Sequence, residues 1–495
     1  MVNLSALASL NTCLSNICAG SSGCVAFADD ISTAASYKLD WVKPYNLAID
    51  VTPAAVIRPN STEEVAAAVR CAADNGYKVQ ARSGGHSFAN FGLGDGALTI
   101  DLVNMQKYSM DETTWYATIG AGMKLGDVDT HLTQTGRAFA HGVCPGVGIG
   151  GHATIIRRVT GRFGAKGGLG PMSRMWGTTL DHIVEVEVVI ANGTILRATE
   201  DENSDLFFNQ ADDGEPQGLR GAGASFGIIT EFVMRTHPAP GDAVQYSFEF
   251  DIGGDAAELA STYMAWQDLV ADPDLDRRFG TELILWSGGI IITGTFYGTQ
   301  GEFEASGIQQ RLPENGTITL TDWLGSLAEW VEKEALYLSN LPSDFYAKSL
   351  GFRQEDMLTE ENVTALFKYT NELDKGTLVW FIIFDATGGA VADVPMNATG
   401  YAHRNKLMFY QSYAVDILYL SDTTRSFLID FYNKLVTMMP ADATNRGTYP
   451  GYVDLNISGI PQEQYWEGNL PMLETIKSKW DPDDVFHNPQ SVRPS

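Results

Sequence analysis

The chain has 495 residues and a mass of 53.8 kDa, with 33 basic and 61 acidic side chains, so its formal net charge is −28. Apolar residues make up 44 % of it, enough for the cores of about two to four packing units. The acidic balance excludes a large basic surface of the kind that binds the phosphate backbone of nucleic acids. We therefore expect neither a nucleic-acid partner nor binding to an anionic membrane. The chain has no run of ~18 apolar residues, so no segment is predicted to span a bilayer.

The first half of the chain is predicted to alternate strands and helices. Ser and Thr ahead of acidic residues indicate a helix start, and the helix should cover 65–75. Strands are predicted at 78–81 and 97–102, on either side of a glycine-rich turn. Two alternating runs around an Asn-Gly pair predict a hairpin over 183–198.

The pattern changes after the Gly/Pro cluster at 238–241, which predicts a domain boundary. Helices are predicted at 255–272, 423–438 and 471–480. Strands of one larger sheet are predicted at 245–250, 282–287, 290–297, 378–384 and 407–413. The order of these elements predicts an α+β fold in two halves.

The cysteines and the glycosylation sequons indicate in which cellular compartment the protein folds. The cysteines fall mostly in the first 71 residues: Cys13, Cys18, Cys24, Cys71 and Cys144. Asn-x-Ser/Thr sequons occur at Asn3, Asn60, Asn192, Asn315, Asn362, Asn397 and Asn456. No signal-peptide pattern is visible at the N-terminus. The clustered cysteines and the sequons nevertheless predict a secreted, disulfide-bonded glycoprotein.

Three common catalytic patterns are weak or absent. Residues 223–227 match Gly-x-Ser-x-Gly, but a strand-like run follows where a hydrolase would need a helix. No Gly-x-Gly-x-x-Gly follows a first strand, which argues against a Rossmann dinucleotide site. The eight histidines show no metal-binding spacing, so we expect no catalytic metal.

Two glycine-rich segments are harder to explain by packing alone. Residues 82–87 (RSGGHS) follow a predicted strand, and residues 141–152 (HGVCPGVGIGGH) contain five glycines, a cysteine and two histidines. Small residues in sequence expose backbone N–H groups and let a diphosphate approach closely. Each segment alone is compatible with a turn around a buried His or Cys, but the two together are a specific combination.

This combination resembles the flavin-binding domain of the vanillyl-alcohol oxidase superfamily, in its berberine-bridge-enzyme-like branch. Nearly the whole chain resembles the fungal gluco- and chitooligosaccharide oxidases, including the runs at 168–171, 180–182, 220–227 and 465–486. The resemblance implies a PCMH-type FAD-binding domain over 1–238, with its core at about 51–238. It also implies a substrate-binding domain over 239–448 with an antiparallel sheet covered by helices. Residues 449–495 would return to the first domain.

The same resemblance implies FAD attached by two covalent bonds, through His86 to the flavin 8α-methyl group and through Cys144 to flavin C6. Imidazole nitrogen and thiolate are nucleophiles suited to attack an electron-poor ring. A disulfide between Cys13 and Cys71 is implied too, which leaves Cys18 with Cys24. The remaining cofactor-binding residues would be Arg82, Ser83, Gly84, Gly85, Ser87, Val147, Gly148, Gly150, Gly151, His152, Gly227 and Ile229. His152 would contact the pyrimidine edge, and Val147 would control access of oxygen.

Tyr452 matches the catalytic tyrosine of the family, and Asp385 matches the carboxylate that assists it. Because a free tyrosine has a pKa near 10, it needs such help to act as a base near neutrality. Gln411, Phe381 and Tyr449 are the expected substrate contacts, with Phe381 as an aromatic platform for a sugar ring.

The sequence departs from the family pattern in four places. Ile383 and Phe88 stand where the glucooligosaccharide enzyme has a polar sugar contact and a tyrosine. Stretches at 156–166 and 209–218 interrupt segments expected to wrap the flavin. We interpret these two stretches as unspliced intron remnants, an interpretation that their presence in the mature transcript would overturn.

The expected function is oxidation of the reducing-end C1 hydroxyl of an oligosaccharide to a lactone, with O2 reduced to H2O2, by a secreted monomer. One alternative is an oxidase or dehydrogenase of the same fold that acts on another alcohol or a secondary metabolite. The other is a carbohydrate-binding protein without catalysis.

Overall fold

The computed structural model describes residues 4–21, 23–30, 36–154, 168–207, 218–251, 255–333, 341–416, 419–440 and 447–495. One hydrophobic core lies mainly in the first 240 residues and the C-terminal segment, and a second lies under the helices of the middle segment. The α+β class is confirmed. None of the described helices has the length and hydropathy needed to cross a bilayer.

The helices of the first half and the C-terminal segment pack on the first core. Those of the middle segment divide between the two cores: residues 323–333 and 390–393 pack on the first, and the others pack on the second. The helices are α1 (Leu4–Ile17), α2 (Thr62–Asp74), α3 (Leu125–Gln134), α4 (Ile149–Thr154), α5 (Ser173–Trp176), α6 (Ser204–Phe207), α7 (Leu219–Ala222), α8 (Ala256–Val270), α9 (Gln300–Ala305), α10 (Trp323–Lys333), α11 (Glu360–Glu372), α12 (Ala390–Asp393), α13 (Asp422–Thr437), α14 (Pro461–Trp466) and α15 (Leu470–Trp480). The helix predicted at 65–75 is α2. Its N-cap is Ser61, whose Oγ accepts from Glu64 N–H.

The first half contains two main sheets. The first has the order β1–β2–β4–β3, with β1 at Val25–Phe27, β2 at Ala55–Ile57, β3 at Val79–Arg82 and β4 at Leu98–Asp101. Strands β2, β4 and β3 are parallel, because α2 carries the chain back between β2 and β3.

The second sheet is antiparallel. It has the order β5–β6–β10–β8–β9, with β5 at Tyr108–Asp111, β6 at Tyr116–Gly120, β8 at Ile183–Val189, β9 at Ile195–Thr199 and β10 at Ile228–Arg235. The hairpin predicted over 183–198 is present as β8 and β9, with Gly193 at a positive φ of 75° in its turn. A short pair, β7 (Arg137–Ala138) with β11 (His237–Pro238), completes this half.

A seven-stranded antiparallel sheet dominates the middle of the chain, in the order β15–β12–β14–β13–β17–β18–β16. Its strands are β12 (Ala243–Asp251), β13 (Phe279–Trp286), β14 (Gly289–Phe296), β15 (Thr317–Thr321), β16 (Asp344–Phe352), β17 (Val379–Ala386) and β18 (Met408–Asp416). The five predicted strands are all there. β15 and β16 were not predicted, because β15 is largely polar and Lys348-Ser349 interrupts the apolar run of β16.

The two faces of this sheet contact different cores. In β17, Trp380, Ile382 and Phe384 belong to the second core, together with side chains of α8, α11 and α13. Phe381 and Ile383, which alternate with them, belong to the first core. Because successive side chains of a strand point to opposite faces, β17 presents a whole row of residues to the flavin-binding half.

Two disulfides tie down the N-terminal region. Cys13 of α1 is joined to Cys71 of α2, with 5.9 Å between their Cα atoms, and Cys18 is joined to Cys24. The first pair is the one that the family resemblance implies, and the second is the pair that it leaves. Cys144 is buried and belongs to neither of these disulfides.

The C-terminal segment packs on the first sheet. Val79 N–H donates to Val485 O at 2.8 Å, beside a parallel bridge between Val79 and Phe486. Lys477 of α15 is fully buried, and its Nζ lies 2.6 Å from both Asp481 Oδ2 and Ser225 O. The three-domain division at 238 and 448 stays a prediction. The stretches 156–166 and 209–218 lie outside the described residues except for Gly218.

The Lys477–Asp481 pair gives a test of this packing. Lys477→Met leaves a buried carboxylate without its cation, so we expect a loss of about 3–5 kcal/mol in the free energy of unfolding. Lys479→Met on the same helix is the control, because the Lys479–Asp205 pair is largely exposed on the lysine side, and it should cost at most ~1 kcal/mol. Denaturant titration of both variants measures the difference, and equal losses would contradict the account.

Candidate active site

The first glycine-rich loop leaves the sheet at the end of β3. Arg82 Nη2 lies 2.5 Å from Asp101 Oδ2, and Nη1 donates to Val42 O, so the guanidinium anchors the start of the loop. Ser83 Oγ donates to Ala121 O at 2.5 Å and accepts from Gly150 N–H at 3.3 Å. These bonds fix the first loop against the second.

The two glycine-rich loops approach each other more closely than side chains would allow. A Cβ on Gly84 would lie 2.2 Å from Gly148 N, and a Cβ on Gly148 would lie 2.0 Å from Gly84 N. A Cβ on Gly150 would lie 2.7 Å from Ala121 O. Glycine is therefore required where the loops meet.

A cavity of about 860 Å³ opens beside this contact. Every residue predicted to bind the cofactor, apart from Cys144, lines it: Arg82, Ser83, Gly84, Gly85, His86, Ser87, Val147, Gly148, Gly150, Gly151, His152, Gly227 and Ile229. Its glycine backbone and serine hydroxyls suit a diphosphate. The residues present therefore fit FAD.

His86 and Cys144, the two predicted attachment points, have different surroundings. The His86 ring stacks on Tyr45, with centroids 4.8 Å apart and 27° between the planes. Cys144, within the second loop, is fully buried. His141, three residues earlier, lies 2.8 Å from Asp129 through Nε2. Burial opposes the charged imidazolium, but Asp129 outweighs it and raises the pKa of His141.

His152 holds the segment that carries Cys144. Its Nε2 accepts from Gly142 N–H at 3.1 Å and lies 3.1 Å from Thr179 Oγ1. His152 thus both lines the cavity and fixes the backbone two residues before Cys144.

Tyr452 and Asp385 come together although they are 67 residues apart in the chain. Tyr452 Oη donates to Asp385 Oδ2 at 3.0 Å, and both side chains are buried. Tyr449 packs edge-on against Tyr452, with ring centroids 4.8 Å apart. The hydrogen bond gives the phenol a carboxylate that can receive its proton, as a general base requires.

Two of the expected substrate residues, Phe381 and Gln411, share one face of the sheet with Asp385. Register places Ile383 opposite Gln411 and Phe381 opposite Tyr413, so these side chains lie on the face of Asp385. Phe88 and Phe345 extend the same surface, with Phe345 5.0 Å from the ring of Tyr413 and 5.3 Å from that of Phe88. Apart from Gln411 and the carboxyl group of Asp385, the side chains of this surface are mainly apolar.

Glu282 and Tyr45 are site residues that the sequence analysis missed. Glu282 of β13 is directly opposite Asp385 and fully buried, so two carboxyl side chains are neighbours on the same face. A charged residue inside an apolar strand was the available signal for Glu282. Nothing local marks Tyr45, whose position over His86 depends on a contact between distant segments.

The Gly-x-Ser-x-Gly motif has a structural role. Ser225 Oγ accepts from Val492 N–H at 3.2 Å, and β10 follows rather than a helix. Ser225 is therefore bound to the C-terminal tail, as expected if the match to a hydrolase motif is accidental.

A charged cluster lies behind the aromatic side chains of the site. Glu467 Oε1 lies 3.0 Å from both His403 Nδ1 and Lys406 Nζ. Burial raises the pKa of Glu467, but these partners outweigh it and hold the pKa below its usual value. Burial also lowers the pKa of Lys406, against the attraction of Glu467.

Comparison with known proteins identifies the family. Residues 53–199 match the model described as FAD binding domain, and residues 448–493 match that described as Berberine and berberine like. FAD-linked oxidoreductase sorD of Penicillium rubens is 38 % identical over 498 residues, which cover 99 % of this chain and 100 % of that protein. The chain belongs to the berberine-bridge-like FAD-linked oxidoreductases.

The proteins to which this oxidoreductase is similar include sugar oxidases. The glucooligosaccharide oxidase of Sarocladium strictum is 32 % identical, over 91 % of this chain and 89 % of that one. A structure of the glucooligosaccharide oxidase of Acremonium strictum, described for its 6-S-cysteinyl, 8α-N1-histidyl FAD, superposes with a TM-score of 0.82 at 30 % identity, covering 98 % of this chain and 99 % of that one. The oxidoreductase is thus an FAD-dependent enzyme.

The contact between the two loops gives a test of the cofactor site. Gly84→Ala would place a methyl group on the backbone of Gly148, so the purified protein should carry less than about a tenth of the parent flavin. Gly301→Ala in α9 is the control, because its Cβ meets nothing within 4 Å. Absorbance near 450 nm per protein measures loading. Full loading of Gly84→Ala would contradict the assignment.

Proposed function

We propose that this oxidoreductase oxidises the reducing-end C1 hydroxyl of an oligosaccharide to a lactone and reduces O2 to H2O2. The observation that carries the proposal is the Tyr452–Asp385 hydrogen bond, on the sheet face turned toward the flavin-binding half. Relatives named for oxidation of oligosaccharides support the substrate class. Phe381 offers an aromatic face on which a pyranose ring can stack, and Gln411 offers an amide for its hydroxyls.

The proton of the substrate hydroxyl would pass to Tyr452 Oη while the phenolic proton moves to Asp385 Oδ2. The transfer leaves no charge on the phenol, so Tyr452 need not ionise first, although a free tyrosine has a pKa near 10. Bound FAD supplies the two-electron acceptor for the hydrogen on the alcohol carbon, and O2 takes those electrons to give H2O2. Loss of the O–H proton and the C–H hydrogen with its two electrons converts the C1 alcohol to the lactone carbonyl.

We further propose that the FAD is held covalently through both His86 and Cys144. Their chemistry suits the two bonds, and a cysteinyl and a histidyl bond are the two named for the FAD of the similar Acremonium strictum enzyme. Stacking of Tyr45 on His86 would fix the imidazole plane. Val147, at the cavity wall, would regulate the approach of O2.

A secreted, glycosylated monomer fits the same proposal. The sequon residues Asn192, Asn315 and Asn397 are exposed, so an oligosaccharyl group could be attached without unfolding. The side-chain amide of Asn362 donates to Met438 O at 2.9 Å, and that of Asn456, although this residue is exposed, donates to Tyr346 Oη at 2.7 Å, so glycosylation of either would break a hydrogen bond. We expect glycans at Asn192, Asn315 and Asn397 rather than at Asn362 and Asn456.

A second candidate substrate is an apolar alcohol, as in a secondary metabolite. The apolar face formed by Phe88, Ile383 and Phe345 favours it, because a sugar leaves hydroxyl groups without partners on such a surface. The relative named only as an FAD-linked oxidoreductase is also more similar than the sugar oxidases reported above.

The base can be tested by removing one oxygen atom. Tyr452→Phe should slow anaerobic flavin reduction by about 10²–10⁴-fold, because it deletes the group that accepts the hydroxyl proton. Tyr263→Phe is the matched control: Tyr263 is buried and contacts Phe384 on the opposite face of β17, with ring centroids 5.1 Å apart. Stopped-flow bleaching of the flavin measures both variants, and an undiminished rate in Tyr452→Phe would refute the role.

A substrate panel separates the two candidates. Cellobiose, maltose, xylobiose and chitobiose represent the sugars, and cinnamyl and veratryl alcohols represent apolar substrates. The proposal predicts peroxide from at least one sugar, with a higher kcat/KM than from either aromatic alcohol. Preference for the aromatic alcohols would replace the first candidate by the second, and glycan binding by a colourless protein would indicate a binding protein without catalysis.

A further inference from the structure

Tyr452 lies on a loop, whereas its partner Asp385 lies inside a sheet. Asp385 belongs to β17, which has a strand on each side. Tyr452 belongs to residues 447–460, which form neither helix nor strand, and its N–H donates to Tyr449 O at 2.8 Å in a local turn. The distance of 3.0 Å between the two side chains is therefore set by whatever holds this loop against the sheet.

Two adjacent residues of β16 hold the loop. Ser349 Oγ donates to Tyr452 O at 3.2 Å, and Lys348 Nζ donates to Asp454 Oδ2 at 2.6 Å. β16 is an edge strand of the seven-stranded sheet. Neighbouring side chains of a strand point to opposite faces, so Ser349 contacts residue 452 on one face of the sheet and Lys348 contacts residue 454 on the other. The loop therefore crosses the sheet edge between these two residues.

The Lys348–Asp454 ion pair is buried on the face away from the flavin-binding half. The exposed fractions of the two side chains are 5 % and 3 %. Lys348 Nζ lies 4.5 Å from the centre of the Tyr432 ring, and Leu350, on the same face of β16, belongs to the second core. Either charge would be buried without its partner if the loop moved, so the pair resists displacement of Asp454 strongly.

Further bonds join the same strand to the start of the loop. Gly351 N–H donates to Gly447 O at 3.0 Å, and Thr448 Oγ1 donates to Ser349 O at 3.1 Å. β16 pairs with β18, and β18 pairs with β17, with Ser349 opposite Gln411 and Gln411 opposite Ile383. The strand that holds the tyrosine loop is thus two strands, about 10 Å, from the strand of Asp385 in one continuous sheet.

We propose that Lys348 and Ser349 are positioning residues for Tyr452: they clamp its loop over both faces of the sheet edge and so fix Tyr452 Oη on Asp385. The inference rests on the proposed function, because it assigns the two residues an effect on the reaction through Tyr452. It predicts that their removal slows proton transfer only where a tyrosine is present at 452.

A double-mutant cycle tests this coupling. Lys348→Met and Ser349→Ala are made in the parent and in the Tyr452→Phe background, and flavin reduction is followed anaerobically with cellobiose, or with cinnamyl alcohol if cellobiose does not react. In the parent we expect reduction to slow by about 10–100-fold, with a smaller change in KM, because small misplacements of reacting groups cost this much. In the Tyr452→Phe background we expect less than about a twofold further change.

Lys477→Met is the matched control. It breaks another buried Lys–Asp pair, but the other contacts of Lys477 are to Ser225 and the C-terminal tail. Lys477→Met should change the rate of flavin reduction by the same factor in the parent and in the Tyr452→Phe background. If Lys348→Met and Ser349→Ala behave as Lys477→Met does, the positioning role is overturned.

Amide hydrogen exchange of the flavin-loaded protein needs no substrate. Lys348→Met and Ser349→Ala should raise exchange in peptides from 447–460 by about tenfold or more, with the β17 peptides unchanged. Unchanged exchange at 447–460 would overturn the clamp. Unimpaired flavin reduction in Tyr452→Phe would instead overturn the proposed function, and the exchange result would still decide whether β16 holds the loop.

Discussion

Side-chain alternation in one antiparallel sheet is the constraint on which the active site depends. Trp380, Ile382 and Phe384 of β17 secure the strand in the core under the helices. Their alternating neighbours Phe381 and Ile383 are thereby turned to the flavin-binding half, with Asp385 next in the row. The burial of one face thus fixes the other, and a carboxylate is held inside the protein by strands on both sides.

The cofactor site depends instead on glycines, whose lack of a side chain lets two loops approach each other closely. The two glycine-rich loops meet with backbone against backbone, which only glycine at 84 and 148 allows, and the cavity opens beside this contact. The polar atoms of Ser83 and Arg82 anchor the first loop. Glycine backbone without side chains at the cavity wall lets a phosphate approach closely, which explains how a strongly acidic protein can accommodate FAD.

Local patterns allowed most of the fold to be predicted, including the Ser61 cap of α2 and the hairpin β8–β9, since both depend on residues close in sequence. The glycine segments carried the family resemblance for the same reason. The pairing of Glu282 with Asp385 and the contacts of Lys348 and Ser349 were not predictable, because each depends on contact between distant segments. The charge that makes Lys348 look misplaced in a strand is neutralised by Asp454, 106 residues away.

Covalent flavin attachment is the central claim that one measurement tests most directly. The flavin-loaded protein is precipitated with acid, and the absorbance of the redissolved pellet is compared with that of the supernatant. The account predicts a yellow pellet and a colourless supernatant, since the proposed bonds to His86 and Cys144 would survive denaturation. A colourless pellet would contradict it.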